Sequence, residues 1–106
     1  MLENENVLKE LKHTIEEQIG DRLVKMVLYG SRAKGDFDNE SDIDIAIIVR
    51  ELSRELKHHI LDNVAEIEMR YLTPLSVHIL SENEFEHLKR RERRIALDIE
   101  REGIPL

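Results

Sequence analysis

The sequence of residues 23–49 is LVKMVLYGSRAKGDFDNESDIDIAIIV, and this stretch decides the fold. Its first part, Leu23–Tyr29, is a continuous and mostly apolar run with the length of a buried strand. Its last part, Ile43–Val49, is apolar on both faces and rich in β-branched residues, which is typical of a second buried strand. The small, charged residues 30–41 between them predict a loop with room for a short helical turn.

Helical periodicity surrounds these two strands. A first helix is predicted to end at Gly20, a candidate C-cap, because apolar residues recur at helical spacing at Val7, Leu8, Leu11, Ile15 and Ile19. Ser53 is a candidate N-cap for a second helix, which cannot continue through Pro74. The predicted core stripe of this second helix is Leu56, Ile60, Val64, Ile67 and Tyr71.

A third strand and a helical region complete the pattern. Alternation over residues 75–80 predicts a strand with Ser76 and His78 on one face, and Ser81 with Glu84 forms a capping-box signature after it. The pattern over residues 82–102 fits either one long helix or two short ones. This order of elements predicts an α/β (α+β) fold, with a small mixed β-sheet of three to four strands and helices packed against it.

Length and composition narrow the class of protein. The 106 residues predict one domain spanning residues 1–106. The net charge of −7 opposes non-specific binding to nucleic acid, and two Phe, two Tyr and no Trp offer little for base stacking. Cysteine is absent, which excludes disulfides, thiolate catalysis and Cys-based zinc sites. The acidic N-terminus lacks the apolar region of a signal peptide, and no apolar run could span a membrane, so we expect a cytoplasmic protein.

The segment that follows the first strand has the features of a phosphate-binding turn. Gly30 lets the backbone turn sharply and approach a ligand without a Cβ in the way. Ser31 offers a hydroxyl and a backbone N–H, and further N–H groups would point at an anion if a helical turn starts here. Arg32 and Lys34 add positive charge suited to a triphosphate. We therefore predict that these four residues contact a nucleotide phosphate.

Two aspartates at the start of the second strand predict a magnesium site. Asp42 and Asp44 are two residues apart and share one face of a strand, with Cα atoms roughly 6.6 Å apart. Adjacent carboxylates repel each other, and a divalent cation such as Mg²⁺ relieves the repulsion. The alternative is an ordinary turn followed by acids that solvate a strand end. Against it, acids that open a strand apolar on both faces are costly unless they have a use.

These residues resemble the polymerase-β-like nucleotidyltransferase superfamily, whose pattern is Gly-Ser, about ten residues, then Asp-x-Asp on the next strand. Here the pattern is Gly30-Ser31-(x)10-Asp42-Ile43-Asp44. The string GSRAKGDFDNESDIDIAI and the ending IEREGIPL are similar to the small minimal nucleotidyltransferases of prokaryotes. The resemblance implies a nucleotidyltransferase fold and Mg²⁺-dependent transfer of a nucleoside monophosphate, AMP from ATP or another NTP, to an acceptor hydroxyl.

The resemblance also implies partners. Many minimal members act as the antitoxin of a helical HEPN partner, in some cases by adenylylating it. A length of 106 residues is too short to provide a helical acceptor domain as well, so we expect a HEPN-like partner or a homo-oligomer, with a protein or RNA hydroxyl as acceptor. Two other functions stay open: a nucleotide-binding, partner-neutralising module without turnover, and a subunit of a small-molecule nucleotidyltransferase.

One departure from the family concerns the third strand. Active members generally carry a third carboxylate on the neighbouring strand, and residues 75–80 contain no acid. His78 stands on the outward face as a candidate general base or ligand, although Mg²⁺ prefers oxygen donors and a half-buried, hydrogen-bonded histidine is the commoner case. The basic run at residues 89–94 is either a solvated helix surface, which we favour, or a contact for RNA or for an acidic partner.

Overall fold

The structure is a computed structural model, and it describes residues 5–30 and 43–106. Its helices and strands, in chain order, are α1 (Glu5–Ile19), a 3₁₀ turn (Gly20–Arg22), β1 (Leu23–Tyr29), β2 (Ile43–Val49), α2 (Arg54–Tyr71), β3 (Leu75–Ser81), α3 (Glu82–Arg90), α4 (Arg94–Glu102) and β4 (Ile104–Pro105).

The four strands form one mixed sheet in the order β3-β2-β1-β4. β1 pairs antiparallel with β2 and with the short β4, whereas β2 and β3 are parallel. A parallel pair needs a crossover, and α2 provides it between β2 and β3. The predicted mixed α/β architecture with three to four strands is therefore confirmed.

The two faces of the sheet carry separate hydrophobic clusters. The α1–α2 face is the side on which α1 and α2 cover alternate strand residues such as Leu28, Ile45 and Ile47. The α3–α4 face is the opposite side, where Phe85 of α3 and Ile99 of α4 pack on the remaining strand residues. Both clusters contain residues of β2, so this strand is apolar on both sides, as its composition predicts.

The predicted helix ends are largely confirmed. Ser53 accepts a hydrogen bond from the N–H of Leu56 at 3.1 Å, and Ser81 with Glu84 forms both halves of the capping box. α1 ends at Ile19, and Gly20 follows with a φ of +54°. The open question over residues 82–102 is settled as two helices, since α3 ends at Arg90 and α4 begins at Arg94.

One predicted core residue is wrong. Tyr71 is 36% exposed, although the apolar stripe of α2 predicts that it is buried. Its hydroxyl hydrogen-bonds the carboxylate of Glu10 in α1, and this bond raises the pKa of the phenol. The last residue of α2 therefore satisfies its polar group at the surface, while Ile60, Val64 and Ile67 are buried beneath the helix. No helix in the described residues is long and apolar enough to cross a membrane.

Candidate active site

The candidate site lies where β1 ends and β2 and β3 begin. Tyr29, the last residue of β1, pairs directly with Asp44 of β2, and Asp44 pairs with Ser76 of β3. Residues that are directly opposite on adjacent strands point to the same face of a sheet. Tyr29 belongs to the cluster under α3 and α4, so Asp44 and Ser76 also point to the α3–α4 face.

Gly30 brings the turn and the carboxylate of Asp44 close together. Its φ is +76°, a left-handed conformation that residues with a side chain rarely adopt. A Cβ placed on Gly30 would lie 2.5 Å from Oδ2 of Asp44, which is too close for any real contact. The residue must therefore be glycine for two reasons, its backbone conformation and the position of this carboxylate.

The carboxylate of Asp44 is half-buried and has no hydrogen bond or ion pair with another described residue. A carboxylate in such a place loses part of its hydration without a compensating partner. Residues 5–30 and 43–106 contain no group of three or more His, Asp or Glu side chains that could hold a metal ion. The other predicted metal ligand, Asp42, lies outside this part of the chain, as do the predicted phosphate contacts Ser31, Arg32 and Lys34.

A hydrogen bond crosses the sheet beside Asp44. The hydroxyl of Tyr29 lies 2.7 Å from Nδ1 of His78, and the two rings meet edge-on at 65°. Tyr29 is on β1 and His78 on β3, so the pair spans β2. The β2 residue that pairs with His78 is Ala46, which is fully buried and small enough for the two side chains to meet above it.

Tyr29 is the group whose chemistry the surroundings alter most clearly. Burial raises the pKa of Tyr29 to about 12, and the negative charges of Asp44 and Asp98 add to the effect. The side chain is only 7% exposed, so burial is the expected leading cause. The phenol is consequently held in its neutral, hydrogen-bonding form.

Asp98 is a residue that the sequence pattern did not reveal. It lies on α4, is half-buried, and is close enough to Tyr29 for its charge to raise the phenol pKa. The apolar spacing of Ala96 and Ile99 identifies the buried side of α4 but not the part of the sheet that it covers. Only the packing of α4 on β1 shows that an acid approaches this end of the sheet.

The basic run at residues 89–94 is not one helix surface. It consists of the last residues of α3, the turn and the first residue of α4. Lys89 forms ion pairs with Glu86 at 3.1 Å and with Glu100 at 3.0 Å. Its ammonium also lies 5.2 Å from the centre of the Phe85 ring. Lys89 therefore joins α3 to α4, and the rest of the run consists of four exposed arginines and the exposed Glu92.

Three known proteins resemble part of this chain in sequence. The protein of Methanocaldococcus jannaschii named "Putative protein adenylyltransferase MJ0141" is 35% identical over 66 residues, which cover 61% of this chain and 67% of that protein. Two further relatives from the same organism, with names of the same kind, match over 47% of their own length.

Two solved structures have a similar fold. The crystal structure of a "putative nucleotidyltransferase" from Sulfolobus solfataricus superposes with a TM-score of 0.60 at 18% identity, covering 94% of this chain and 76% of that one. A toxin-antitoxin crystallised with AMP-PNP superposes with a TM-score of 0.57 at 19% identity, covering 96% of this chain and 71% of that one. At such low identity these likenesses show a shared fold.

A family model places the chain directly. The model described as polymerase beta, nucleotidyltransferase matches residues 9–106, which is nearly the whole sequence. The match includes the glycine turn at the end of β1, the start of β2 and all of β3. The chain therefore belongs to the polymerase beta nucleotidyltransferase family.

Proposed function

We propose that this nucleotidyltransferase transfers AMP from magnesium-bound ATP to a hydroxyl group of a partner protein. The observation that carries the proposal is the carboxylate of Asp44, which lies against the Gly30 turn and has no partner in the described residues. Family membership supplies the reaction class, and the name of the Methanocaldococcus jannaschii relative favours a protein as acceptor.

The donor atoms of the site suit magnesium. Mg²⁺ prefers carboxylate oxygens, and it commonly binds through one or two of them together with substrate phosphates. Asp44 offers such oxygens near the start of β2, an interior strand of the sheet, and Asp42 lies two residues earlier in the sequence. We propose that these two aspartates hold the metal, which when bound neutralises charge on the triphosphate.

The turn would bind the phosphates. Gly30 keeps the backbone free of a side chain, and the next residue, Ser31, brings a hydroxyl and an N–H group. We propose that Arg32 and Lys34 add positive charge on the same ligand. In the reaction, the acceptor oxygen bonds to the α-phosphorus while the bond to the bridging oxygen breaks. Pyrophosphate leaves, and the proton of the acceptor hydroxyl passes to solvent water.

A helical HEPN-type partner is the proposed acceptor. One structural neighbour is a toxin-antitoxin, which supports the idea that small members of this fold work beside a second protein. An RNA hydroxyl is the other acceptor to test. The net charge of −7 makes RNA the less favoured of the two, because RNA binding relies on cationic surface.

Label transfer tests the proposal. The protein is incubated with ATP labelled at the α-phosphate, Mg²⁺, and either the product of the adjacent gene or RNA. We expect labelled protein, loss of labelling when Mg²⁺ is chelated, and a decrease of at least about 100-fold in Asp44→Asn. The exposed Asp62 on α2 provides a matched control, and Asp62→Asn should label at the wild-type rate. Equal labelling by Asp44→Asn and wild type would refute the site.

A second candidate is a module that binds the nucleotide and the partner without turnover. The observation that favours it is β3, whose residues include no acid, so the third carboxylate of active relatives is missing from this strand. Asp98 is an acid on another element near the same face. Asp98→Asn therefore tests whether this acid takes the place of the missing carboxylate. Calorimetric binding of magnesium–ATP without label transfer, at high protein concentration and with the partner present, would favour this candidate.

A further inference from the structure

We propose that His78 donates a hydrogen bond from Nε2 to a phosphate oxygen of the bound nucleotide, and that Tyr29 holds His78 in the tautomer that makes this possible. The inference rests on the proposed function, because it adds a contact to the same nucleotide site. It differs from the two roles that the sequence suggests for His78, general base and metal ligand.

The first step concerns the direction of the hydrogen bond between Tyr29 and His78. Tyr29 is buried. Among the described residues, its hydroxyl has one hydrogen-bond partner, Nδ1 of His78, at 2.7 Å. A phenol carries its proton at neutral pH. If Nδ1 also carried a proton, the hydroxyl proton would have no acceptor among the described residues, which is costly for a buried group. The hydroxyl therefore donates and Nδ1 accepts.

The second step follows from the chemistry of imidazole. A neutral ring carries one proton, so when Nδ1 accepts a hydrogen bond the proton is on Nε2. Neither nitrogen then has a free lone pair, which a general base or a metal ligand requires. The ring offers an N–H donor instead. His78 is exposed, and no other described residue bonds to its Nε2.

The third step concerns position. His78 pairs with Ala46, and Asp44 is two residues before Ala46 on the same face. Strand spacing and rise put the Cα atoms of Asp44 and His78 about 8 Å apart. If Asp44 holds the metal of a bound triphosphate, a donor at this distance would be within reach of the phosphate oxygens. Phosphates bind to clusters of N–H groups, so a neutral donor suits this ligand better than another acid.

Two variants of His78 separate the donor from a general base. Glutamine has an amide N–H donor but cannot act as a base at neutral pH, whereas alanine has neither. We expect His78→Ala to weaken calorimetric binding of magnesium–ATP by about 10-fold and His78→Gln by less than about 3-fold. Equal weakening in both variants would overturn the donor role. Unchanged affinity in both, with label transfer lost in both, would instead identify a general base.

Nuclear magnetic resonance spectroscopy identifies the tautomer of His78 in the absence of nucleotide. In protein labelled with ¹⁵N-histidine, at a pH where imidazole is neutral, we expect the His78 proton on Nε2 and an acceptor-type Nδ1. Tyr29→Phe should convert this signal to a mixture of tautomers, and His78→Gln identifies the signal by removing it. A proton found mainly on Nδ1 in the wild type would overturn the proposal. If the tautomer is as expected but wild-type protein does not bind magnesium–ATP, the nucleotide site fails and the tautomer assignment stands alone.

Discussion

The two faces of the sheet differ in the size of their hydrophobic clusters and in the polar groups that they carry. Among residues 5–30 and 43–106, 16 buried apolar residues form one cluster on the α1–α2 face, and its strand residues are large and mostly branched. On the α3–α4 face, the buried cluster has 7 of these residues, two of which are Ala46 and Ala96. The polar groups of the candidate site, Asp44, Tyr29 and His78, all lie on this thinner side. The comparison indicates that the larger cluster carries most of the buried apolar surface of the described residues, whereas the smaller one leaves room for the polar groups of the candidate site.

Small residues allow α4 to pack closely on the α3–α4 face of the sheet. Ala96 is fully buried where α4 packs on the sheet. A Cβ on Gly103, the residue after α4, would overlap Cγ1 of Val27 in β1. α4 therefore approaches β1 closely, and this approach also brings Asp98 near Tyr29. The packing that completes the core also positions a charge at the site.

The largest expected effect is a loss of stability on the α1–α2 face. Leu11 in α1 is fully buried, and Leu11→Ala should lower the free energy of unfolding by about 3 kcal/mol because it removes buried surface and leaves a cavity. Urea unfolding measures this change. The affinity of the remaining folded protein for magnesium–ATP should equal that of the wild type. Leu61, which is 40% exposed on α2, is the matched control, and Leu61→Ala should cost less than about 1 kcal/mol. A cost for Leu61→Ala as large as that for Leu11→Ala would break the comparison.

Two glycine variants test the α3–α4 face, and we expect them to have an intermediate effect on the free energy of unfolding. Gly20 and Gly30 both have positive φ, but a Cβ on Gly20 meets nothing within 4 Å, whereas one on Gly30 meets Asp44. Gly20→Ala should therefore cost about 1 kcal/mol, for backbone strain alone. Gly30→Ala should cost about 2 kcal/mol, since the carboxylate must also move.

Ligand binding distinguishes the two glycines further. Gly30→Ala should weaken binding of magnesium–ATP, measured by calorimetry, whereas Gly20→Ala should leave it unchanged. If both variants bind the nucleotide like the wild type, the contact between Gly30 and Asp44 has no role in the site.

The smallest expected effect at neutral pH comes from the Tyr29 phenol, which alters stability only in alkaline solution. The pKa of Tyr29 in the folded protein is about 12, above its ordinary value of 10.0, so the protonated phenol stabilises the folded state. This contribution is complete below pH 10 and is lost as the pH rises toward 12. Urea unfolding at a series of pH values should therefore show a decline over this window that is shallower in Tyr29→Phe.

An ultraviolet titration provides the check on this assignment. The chain has two tyrosines, and Tyr29→Phe should remove the later phase of phenolate formation. Tyr71→Phe is the counterpart, since Tyr71 lies at the surface and its phenol pKa is raised mainly by a hydrogen bond to Glu10. If the late phase persists in Tyr29→Phe, burial at the candidate site does not protect this phenol.

The sequence by itself determined the features that depend on local pattern. The apolar run of Ile43–Val49 required a strand buried on both sides, and Ser53 and Ser81 required helix starts, because caps and periodicity act within a few residues. Gly30 and Asp44 were identified in the same way, from a turn residue and from an acid at the start of an apolar strand. Local patterning failed at Tyr71, where the helical spacing continued to the end of α2 but the side chain remained at the surface.

Tertiary structure decided which of these residues meet. Tyr29 and His78 are 49 positions apart in sequence, and their hydrogen bond exists because β2 lies between β1 and β3 with the small Ala46 beneath the contact. The approach of Asp98 likewise depends on the packing of α4 on β1. No local periodicity encodes strand order or the part of a sheet that a helix covers, since both follow from burial of the whole chain. The donor role proposed for His78 therefore became visible only in the folded arrangement.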